Sequence, residues 1–533
     1  MRDKSSHIYF RQHRGDASAY ENYFAGMDAS MQQKIALTTA HFPTRGLIAD
    51  MGSGSGRGTF DLAQLYHNLE LVGVDINPVS VEQSARKYQA ANLKFAVGDI
   101  SDRVFQENSL DGILNSSVLH HITSFNDYDI RQITRTLHNQ VAQLKTGGTL
   151  IIRDFVVPEG GEETIFLDLP CEDGDAAGEI ASLSSAALFE VFARDFRSSV
   201  NRDHAVAYVK LASPRSGFVR FETKMRAAAE FVLRKDYRRD WDAELIEEYT
   251  YFSQSDFEQA FRRSGLRTTV SVPLWNPWIV NNRFVGKFFI SNKAGESLPF
   301  PPTNFLIVGE KLSPGEGYEI TESVAEETAA PAFLKLNYYR HTSTGQIFEL
   351  AMRPNQTIDV LPWFDRDGQI FVLAKKDFPR PLLNACLDQP NLHRANYSGY
   401  LTEPISAILE RDKRFADLSD EVKSLLESRA NLQAKDVLEI SQPQFYYTSP
   451  GGIDELVQSF LIRISDWDKE PQKIENYTKF ASAGAVRELD ALQVLRASHV
   501  GGMFDARLEI NIYRLLRELQ TSAGAWIGAQ ITP

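Results

Sequence analysis

Cysteine is almost missing from this chain. Cys171 and Cys386 are the only two among 533 residues, which excludes a disulfide framework or a Cys-rich zinc site and suits a reducing, cytoplasmic compartment. Long apolar runs are missing too. None approaches the ~18 to 20 residues that a membrane span needs, and the opening "MRDKSSHIYF" lacks an apolar core of the signal-peptide kind. Lys and Arg number 57 against 70 Asp and Glu, a formal net charge of −13. Affinity for a phosphate backbone rests largely on Lys and Arg, so a nucleic-acid partner is disfavoured. What is present is 43% hydrophobic residues, in a chain that at about 150 residues per domain divides into two to four domains.

From Leu47, short apolar runs alternate with amphipathic stretches: "GLIAD", "TFDLAQLY", "LELVGVD", "NPVSVEQSARKYQAA", "NLKFAVGD". Strands alternating with helices of this length imply parallel β-α-β crossovers. "SLDGILN", a helix near Asp129 to Leu144, and "GGTLIIRDFVV" bring the candidate strands to five by about residue 157. Residues 158 to 250 interrupt the pattern with "SSAALFEVFARDFR" and "KMRAAAEFVLRKDYRRDWDAELIEEY", which read as helices and predict a mostly helical insertion. "SQSDFEQAFRRSG" then reads as a helix, with capping-box spacing from Ser255 to Glu258 and a stop at Gly265. "LRTTVSVPLW" and "TNFLIVGEKL" add two strands. The expected fold class is α/β, a Rossmann-like seven-stranded sheet over 45–312 with a helical cap inserted at about 158–250.

"LIADMGSGSGRGTFDLAQL" sets a glycine-rich turn between the first strand and its helix. Asp50 ends the strand, and Gly52, Gly54 and Gly56 follow, where glycine permits a tight turn and close approach of a ligand to the backbone. Alone, such a turn serves a dinucleotide, a phosphate or no ligand. Asp75 ends the second strand 19 residues after Gly56, where a carboxylate can accept from both hydroxyls of a ribose. Asp99 ends the third strand, where it can accept from an exocyclic amine such as that of adenine, with Ile76 and Ile100 as apolar walls. Ligands bind at these carboxyl ends in open α/β sheets. A nicotinamide dinucleotide turn spaces its glycines G-x-G-x-x-G, whereas this one reads G-x-G-x-G-x-G.

At these residues the chain resembles the class I S-adenosylmethionine-dependent methyltransferases. "IADMGSGSGRG", "GVDINP", "VGDISD" and "LDGILNSSVLHHI" resemble that family's first four motifs, and "LKTGGTLIIRDF" its turn into strand five. The resemblance implies S-adenosyl-L-methionine as cofactor. Gly52, Ser53, Gly54 and Gly56 would face its methionine portion, Asp75 would hold the ribose, Asp99 and Ile100 the adenine, and Asn115 with Ser116 would lie beside the sulfonium; Asp50, Ile76 and Gly98 complete the expected cofactor-binding set. The implied function is methyl transfer to a small organic acceptor by in-line displacement. Alternatives are a non-methylating user of the cofactor, a bifunctional enzyme, or a cofactor-binding scaffold without activity.

Methyl transfer needs positioning and, for a weakly acidic nucleophile, a general base. His120 and His121, after strand four, titrate in the suitable range and are the candidates, against a packing or capping role. No metal ligands stand out. Residues 1–44, with Tyr9, Tyr20, Tyr23 and Phe24, suit a helical lid, where Arg11 or Arg14 would meet the cofactor carboxylate. "LRKDYRRDWDAELIEEYTYF" reads either as substrate cap or as a solvated helix face, and "NPWIVNNRF" as a pocket loop.

Residues 313–331, rich in Glu, Ser, Ala, Gly and Pro, have a linker composition. From 332 to 533 the second domain is expected to be α+β. "GQIFVLAKKDFPRP", "SGYLTEP" and "YYTSPGGIDELVQSFLIRI" resemble segments of the Nudix hydrolases of the ADP-sugar pyrophosphatase type. That family holds magnesium with glutamates along one helix. Aligned on Asn431-Leu432, this chain has Ser424, Leu425, Ser428 and Arg429 in the place of Arg and three glutamates. The resemblance therefore implies a Nudix-like domain without hydrolase activity, kept for binding, substrate presentation or homodimer formation, unless Glu421, Glu427 or Glu455 substitute.

Overall fold

The structure is a computed structural model. It describes residues 38–197, 206–312, 334–341, 344–353, 356–376, 401–409, 418–468, 473–474, 484–499, 503 and 505–519. The expected lid, with Arg11 and Arg14, and the linker at 313–331 lie outside the described residues except for 38–44. Two compact units divide the chain, the first comprising essentially the residues to Glu316.

The first unit is built on strands β1 (Gly46–Met51), β2 (Leu69–Asp75), β3 (Leu93–Val97), β4 (Leu110–Ser116), β5 (Leu144–Asp154), β9 (Leu266–Leu274) and β11 (Asn304–Lys311). Their spatial order is β3-β2-β1-β4-β5-β11-β9. The strands from β3 to β5 pair in parallel, and β11 runs antiparallel to both β5 and β9. The order reverses between β1 and β4, and that switch point is where an open α/β sheet leaves a crevice for a ligand. The connecting helices are α1 (Arg57–Leu65), α2 (Pro78–Lys87), α3 (Leu119–Ser124), α4 (Arg131–Gln143) and, after the insertion, α7 (Gln254–Arg263). Ile113, Leu150, Ile152, Phe305 and Ile307 of the sheet pack against Leu137 and Val141 of α4 and Phe257 and Phe261 of α7. Helix α7 starts two residues earlier than expected: Ser253, not Ser255, caps it, with Asp256 completing the reciprocal box. Its stop holds, Gly265 being left-handed at φ 78.

The insertion is not mostly helical. Strands β6 (Thr164–Pro170), β7 (Tyr208–Ala212), β8 (Phe218–Lys224) and β10 (Phe289–Ser291) form an antiparallel sheet in the order β10-β6-β8-β7. Helices α5 (Ser185–Asp195) and α6 (Met225–Arg234) pack on it. It has a core of its own: Phe189 and Phe192 of α5 and Phe231 of α6 meet Leu167 and Phe221 of the sheet. The segment "NPWIVNNRF" enters this core through Phe284, while Asn276 caps the turn that follows it and Asn282 donates to the Trp278 carbonyl.

The second unit has a three-stranded sheet of β12 (Lys335–Arg340), β13 (Ile347–Met352) and β16 (Ile453–Asp454). A larger mixed sheet centres on β14 (Thr357–Arg366), β15 (Gln369–Lys376), β17 (Leu456–Ile464) and β18 (Gly484–Asp490), with β14 and β17 parallel and β15 antiparallel to its neighbours. Helices α8 (Leu418–Ala430), α9 (Ala491–His499) and α10 (Ala506–Glu518) complete it. Among the described residues, no helix is long and apolar enough to cross a membrane.

Asp490 caps α9, accepting from Leu492 N at 2.9 Å and Gln493 N at 3.1 Å. Burial nevertheless pushes its carboxyl up from 3.8 to about 6. A raised folded-state value means that the native chain holds an extra proton between those pH values. The stabilisation is therefore complete below the ordinary value and is lost as pH rises through about 6. Asp490→Asn keeps an acceptor for both N–H groups and is expected to raise stability at pH 7 by about 1–2 kcal/mol. In calorimetric melts at a series of pH values, the difference from the parent should shrink towards pH 4; a constant or negative difference contradicts this.

Candidate active site

The crevice opens at the glycine turn. Gly52, Gly54 and Gly56 all have positive φ, at 82, 54 and 76. Added Cβ atoms would lie 2.4 Å from Val118 Cγ2 at Gly52 and 2.6 Å from Ser84 Cβ at Gly56. Gly52 and Gly56 are thus closed to a side chain by both conformation and space, and Gly54 by conformation. Gly52 N and Ser53 N donate to the Val74 carbonyl at 2.8 and 2.9 Å, which draws the turn over the end of β2. Asp50 is buried beneath it, with Oδ2 accepting from Thr59 Oγ1 at 2.6 Å, so it braces the turn against α1. The Ser53 hydroxyl is buried and has no hydrogen-bond partner among the described residues.

Asp75 meets the turn directly. Its Oδ2 accepts from Gly54 N at 2.9 Å and its Oδ1 from Asn77 N at 2.9 Å. Burial raises its carboxyl pKa, which these backbone donors and that of Ile76 partly offset. Gly98 N donates to the Asp75 carbonyl at 2.9 Å, bringing the third strand end alongside. Asp99 is half-buried, and its Oδ1 accepts from Ser101 N and Ser101 Oγ at 2.9 and 2.6 Å. Ile100 is buried and Ile76 half-buried. Three groups of residues expected from the sequence therefore gather at three successive strand ends.

Asn115 is different in kind. Its side chain is fully buried and pairs with Gln140 in both directions, Nδ2 to Oε1 at 2.8 Å and Oδ1 from Nε2 at 3.0 Å. Gln140 also donates to the Ile100 carbonyl at 3.3 Å. Asn115 thus ties β4, through Gln140, to the turn that follows β3. Ser117 follows in a left-handed conformation, φ 55, held by Arg153: Ser117 N donates to the Arg153 carbonyl at 2.7 Å and Arg153 Nη1 to Ser117 Oγ at 2.9 Å.

His120 and His121 stand in the first turn of α3. His120 is buried, and its Nδ1 lies 2.8 Å from Asp154 Oδ1. Asp154 also accepts from the N–H groups of Leu119, His120 and Phe155, at 2.7, 3.2 and 2.8 Å. Burial alone would lower the His120 pKa, but Asp154, reinforced by Glu247, overrides it and holds the imidazolium up to about 10. Asp154 in turn stays below the ordinary carboxylate range against the pull of burial, because the His120 cation faces it. Asp154 thus occupies one ring nitrogen of His120. His121 is half-buried beside the Phe125 ring, 5.4 Å between centroids.

Glu247 lies 3.8 Å from His120 Nε2 and 3.6 Å from His121 Nε2. It was not legible in the sequence, where "AELIEEY" reads as a solvated helix face. In the fold, Glu230, Arg234, Glu244, Glu247 and Glu248 are all buried. Arg234 pairs with Glu230 and donates to the Glu244 carbonyl at 2.6 Å, which compensates the buried charge. Asp154 did leave a signal: it ends β5, as Asp75 ends β2.

Residues 48–148 match a family model described as a methyltransferase domain. This segment is a methyltransferase domain. It spans the glycine turn, Asp75, Asp99, Asn115, and both histidines. Phthiotriol/phenolphthiotriol dimycocerosates methyltransferase of Mycobacterium leprae (strain TN) is 27% identical over 107 residues, 20% of this chain and 37% of that protein. Fatty-acid O-methyltransferase of Mycolicibacterium smegmatis is 28% identical over 90 residues, 17% of this chain and 32% of that protein. The chain thus spans about a third of the length of these curated relatives. Among solved structures, a SAM-dependent methyltransferase from Methanosarcina mazei is 14% identical, with a TM-score of 0.28, covering 51% of this chain and 95% of that one.

Proposed function

We propose that the first unit is an S-adenosylmethionine-dependent methyltransferase acting on a small organic acceptor. The observation that carries this reading is the convergence of the glycine turn, the Asp75 carboxylate and the Asp99 turn at the β1/β4 switch point. The residues fit the cofactor: the backbone is bare where a Cβ would clash, and the buried Ser53 hydroxyl awaits a partner. Gly52, Ser53, Gly54 and Gly56 would hold the methionine end, Asp75 and Ile76 the ribose, Gly98, Asp99 and Ile100 the adenine, and the main chain of Asn115 and Ser116 the region of the sulfonium. When bound, S-adenosylmethionine supplies a methyl group already activated on a sulfonium. The chain's own residues then orient donor and acceptor and exclude water.

The names of the two mycobacterial relatives favour an oxygen of an apolar, lipid-like molecule as acceptor. The aromatic stack of Phe155 on Tyr249, 4.0 Å between centroids, supports an apolar surface beside α3. Titration calorimetry with S-adenosylmethionine and S-adenosylhomocysteine tests the reading. Micromolar binding of either is expected, and no heat at millimolar ligand overturns it.

For the second unit we propose a Nudix-like domain without hydrolase activity. Asn431, left-handed at φ 53, ends α8 and donates to the Glu427 carbonyl, which supports the alignment on the Nudix helix stop. Glu455 is engaged with Thr357 and Arg353, both at 2.8 Å, and so does not present a free carboxylate to magnesium. No ADP-ribose hydrolysis is expected with magnesium; turnover that disappears in Glu427→Gln would reverse the alignment. The low cysteine content favours a cytoplasmic location, and homodimer formation is a further role proposed for this unit.

A further inference from the structure

We propose that His120, His121 and Glu247 form a binding site for a first-row divalent metal ion, zinc by its donor set, beside the glycine turn of the methyltransferase domain. One ligand atom from each residue lies within 4.8 Å of the others. The Glu247 carboxylate faces both imidazoles through their Nε2 atoms, at 3.8 and 3.6 Å. An ion bonded to N and O at about 2.0–2.2 Å draws tetrahedral ligand atoms to about 3.4 Å apart, so the two carboxylate oxygens, one facing each imidazole, stand near that spacing and the widest of the three separations, within 4.8 Å, closes on binding. Two imidazoles and one carboxylate form a donor set of the kind that holds zinc or iron(II) and leaves a position for water or an oxygen of a small molecule.

The frame around the three ligands is already built. The Nδ1 of His120 is held by Asp154 at 2.8 Å, the carboxylate–histidine arrangement that fixes the ring and leaves Nε2 for the ion. Glu247 is pinned from both sides: Tyr128 Oη donates to the Ile246 carbonyl at 2.7 Å, and Glu248 N donates to Ser124 Oγ at 2.8 Å. Ser124 itself donates to the His120 carbonyl at 2.6 Å, so the loop that carries Glu247 is fastened to the helix that carries both histidines. Phe155, Tyr249 and Phe125 surround the imidazoles edge-on and supply a low-dielectric shell. Val118, two residues before His120, packs against Gly52, which sets the ion at the edge of the cofactor crevice.

The test uses the untagged full chain, stripped with chelator, given one equivalent of zinc or cobalt(II), desalted, and analysed for metal and for visible cobalt absorption. About one ion per chain is expected, with the intense d–d bands of a tetrahedral cobalt site. Glu247→Gln and His121→Ala should lose both, His138→Ala, on the exposed face of α4, should keep both, and Asp154→Asn should weaken affinity about 10- to 100-fold. Thermal melts establish that each variant is folded. If the folded parent retains no stoichiometric ion, or if Glu247→Gln and His121→Ala retain as much as the parent, the proposal is overturned. Calorimetry with S-adenosylmethionine on the same metal-free chain keeps this outcome separate from the cofactor reading, which does not depend on the ion.

Discussion

Asp75→Ala is expected to lower the affinity for S-adenosylmethionine by about 100-fold or more, equivalent to about 3 kcal/mol. Two losses combine. The ribose hydroxyls lose a charged acceptor, and Gly54 N and Asn77 N lose the carboxylate that holds them at 2.9 Å. The second loss acts before any ligand arrives, because the turn's left-handed glycines are kept in register with β2 partly through this carboxylate. Asp75→Asn separates the two: its amide retains one acceptor oxygen, so its affinity should fall between those of parent and alanine variant. Titration calorimetry with S-adenosylhomocysteine, run beside a thermal melt of each variant, reads affinity and stability independently. Unchanged affinity in a folded Asp75→Ala chain would remove Asp75 from the cofactor site.

Asp154→Ala is expected to be the most destabilising single substitution near the crevice, at about 3–5 kcal/mol. It strands a buried imidazolium whose Nδ1 donates to Asp154 at 2.8 Å, and it uncaps the first turn of α3, where Leu119 N and His120 N point at the same carboxylate. For a unit of this size the melting temperature should drop by roughly 10 °C. The double variant with His120→Leu should be less destabilised than the sum of the two singles, because removal of the cation removes the uncompensated charge. A loss under about 1 kcal/mol for Asp154→Ala would show that the pair is not a structural tie.

Both substitutions touch strand ends, and strand ends are where sequence and structure agree best. "LIADMGSGSGRG", "GVDINP" and "VGDISD" are local signals: a strand, a turn needing positive φ, and a carboxylate within a few residues of each other. Such features survive whatever packs around them. The insertion was less legible. Its β7 is short and exposes Val209 and Leu211 at a sheet edge, so the alternation that marks a strand is incomplete. The neighbouring "KMRAAAEFVLR" has strong helical character and obscured the hairpin before it. The cap of α7 was misplaced because Ser253 and Ser255 are both competent caps, and only the backbone path chooses between them.

By itself, the sequence determined the parallel α/β core, the glycine turn and the acidic residues that close β2 and β3, because those depend on residue type and short-range spacing. The tertiary structure alone decided which polar groups face the crevice and which are sealed. It turned the Asn115 amide inward to Gln140, buried His120 against Asp154, and carried Glu247 from the end of the insertion to within 3.6 Å of His121. The physical reason is that a buried charge is tolerable only beside its partner, and these partners lie on separate elements that meet only when the sheet and its insertion pack together.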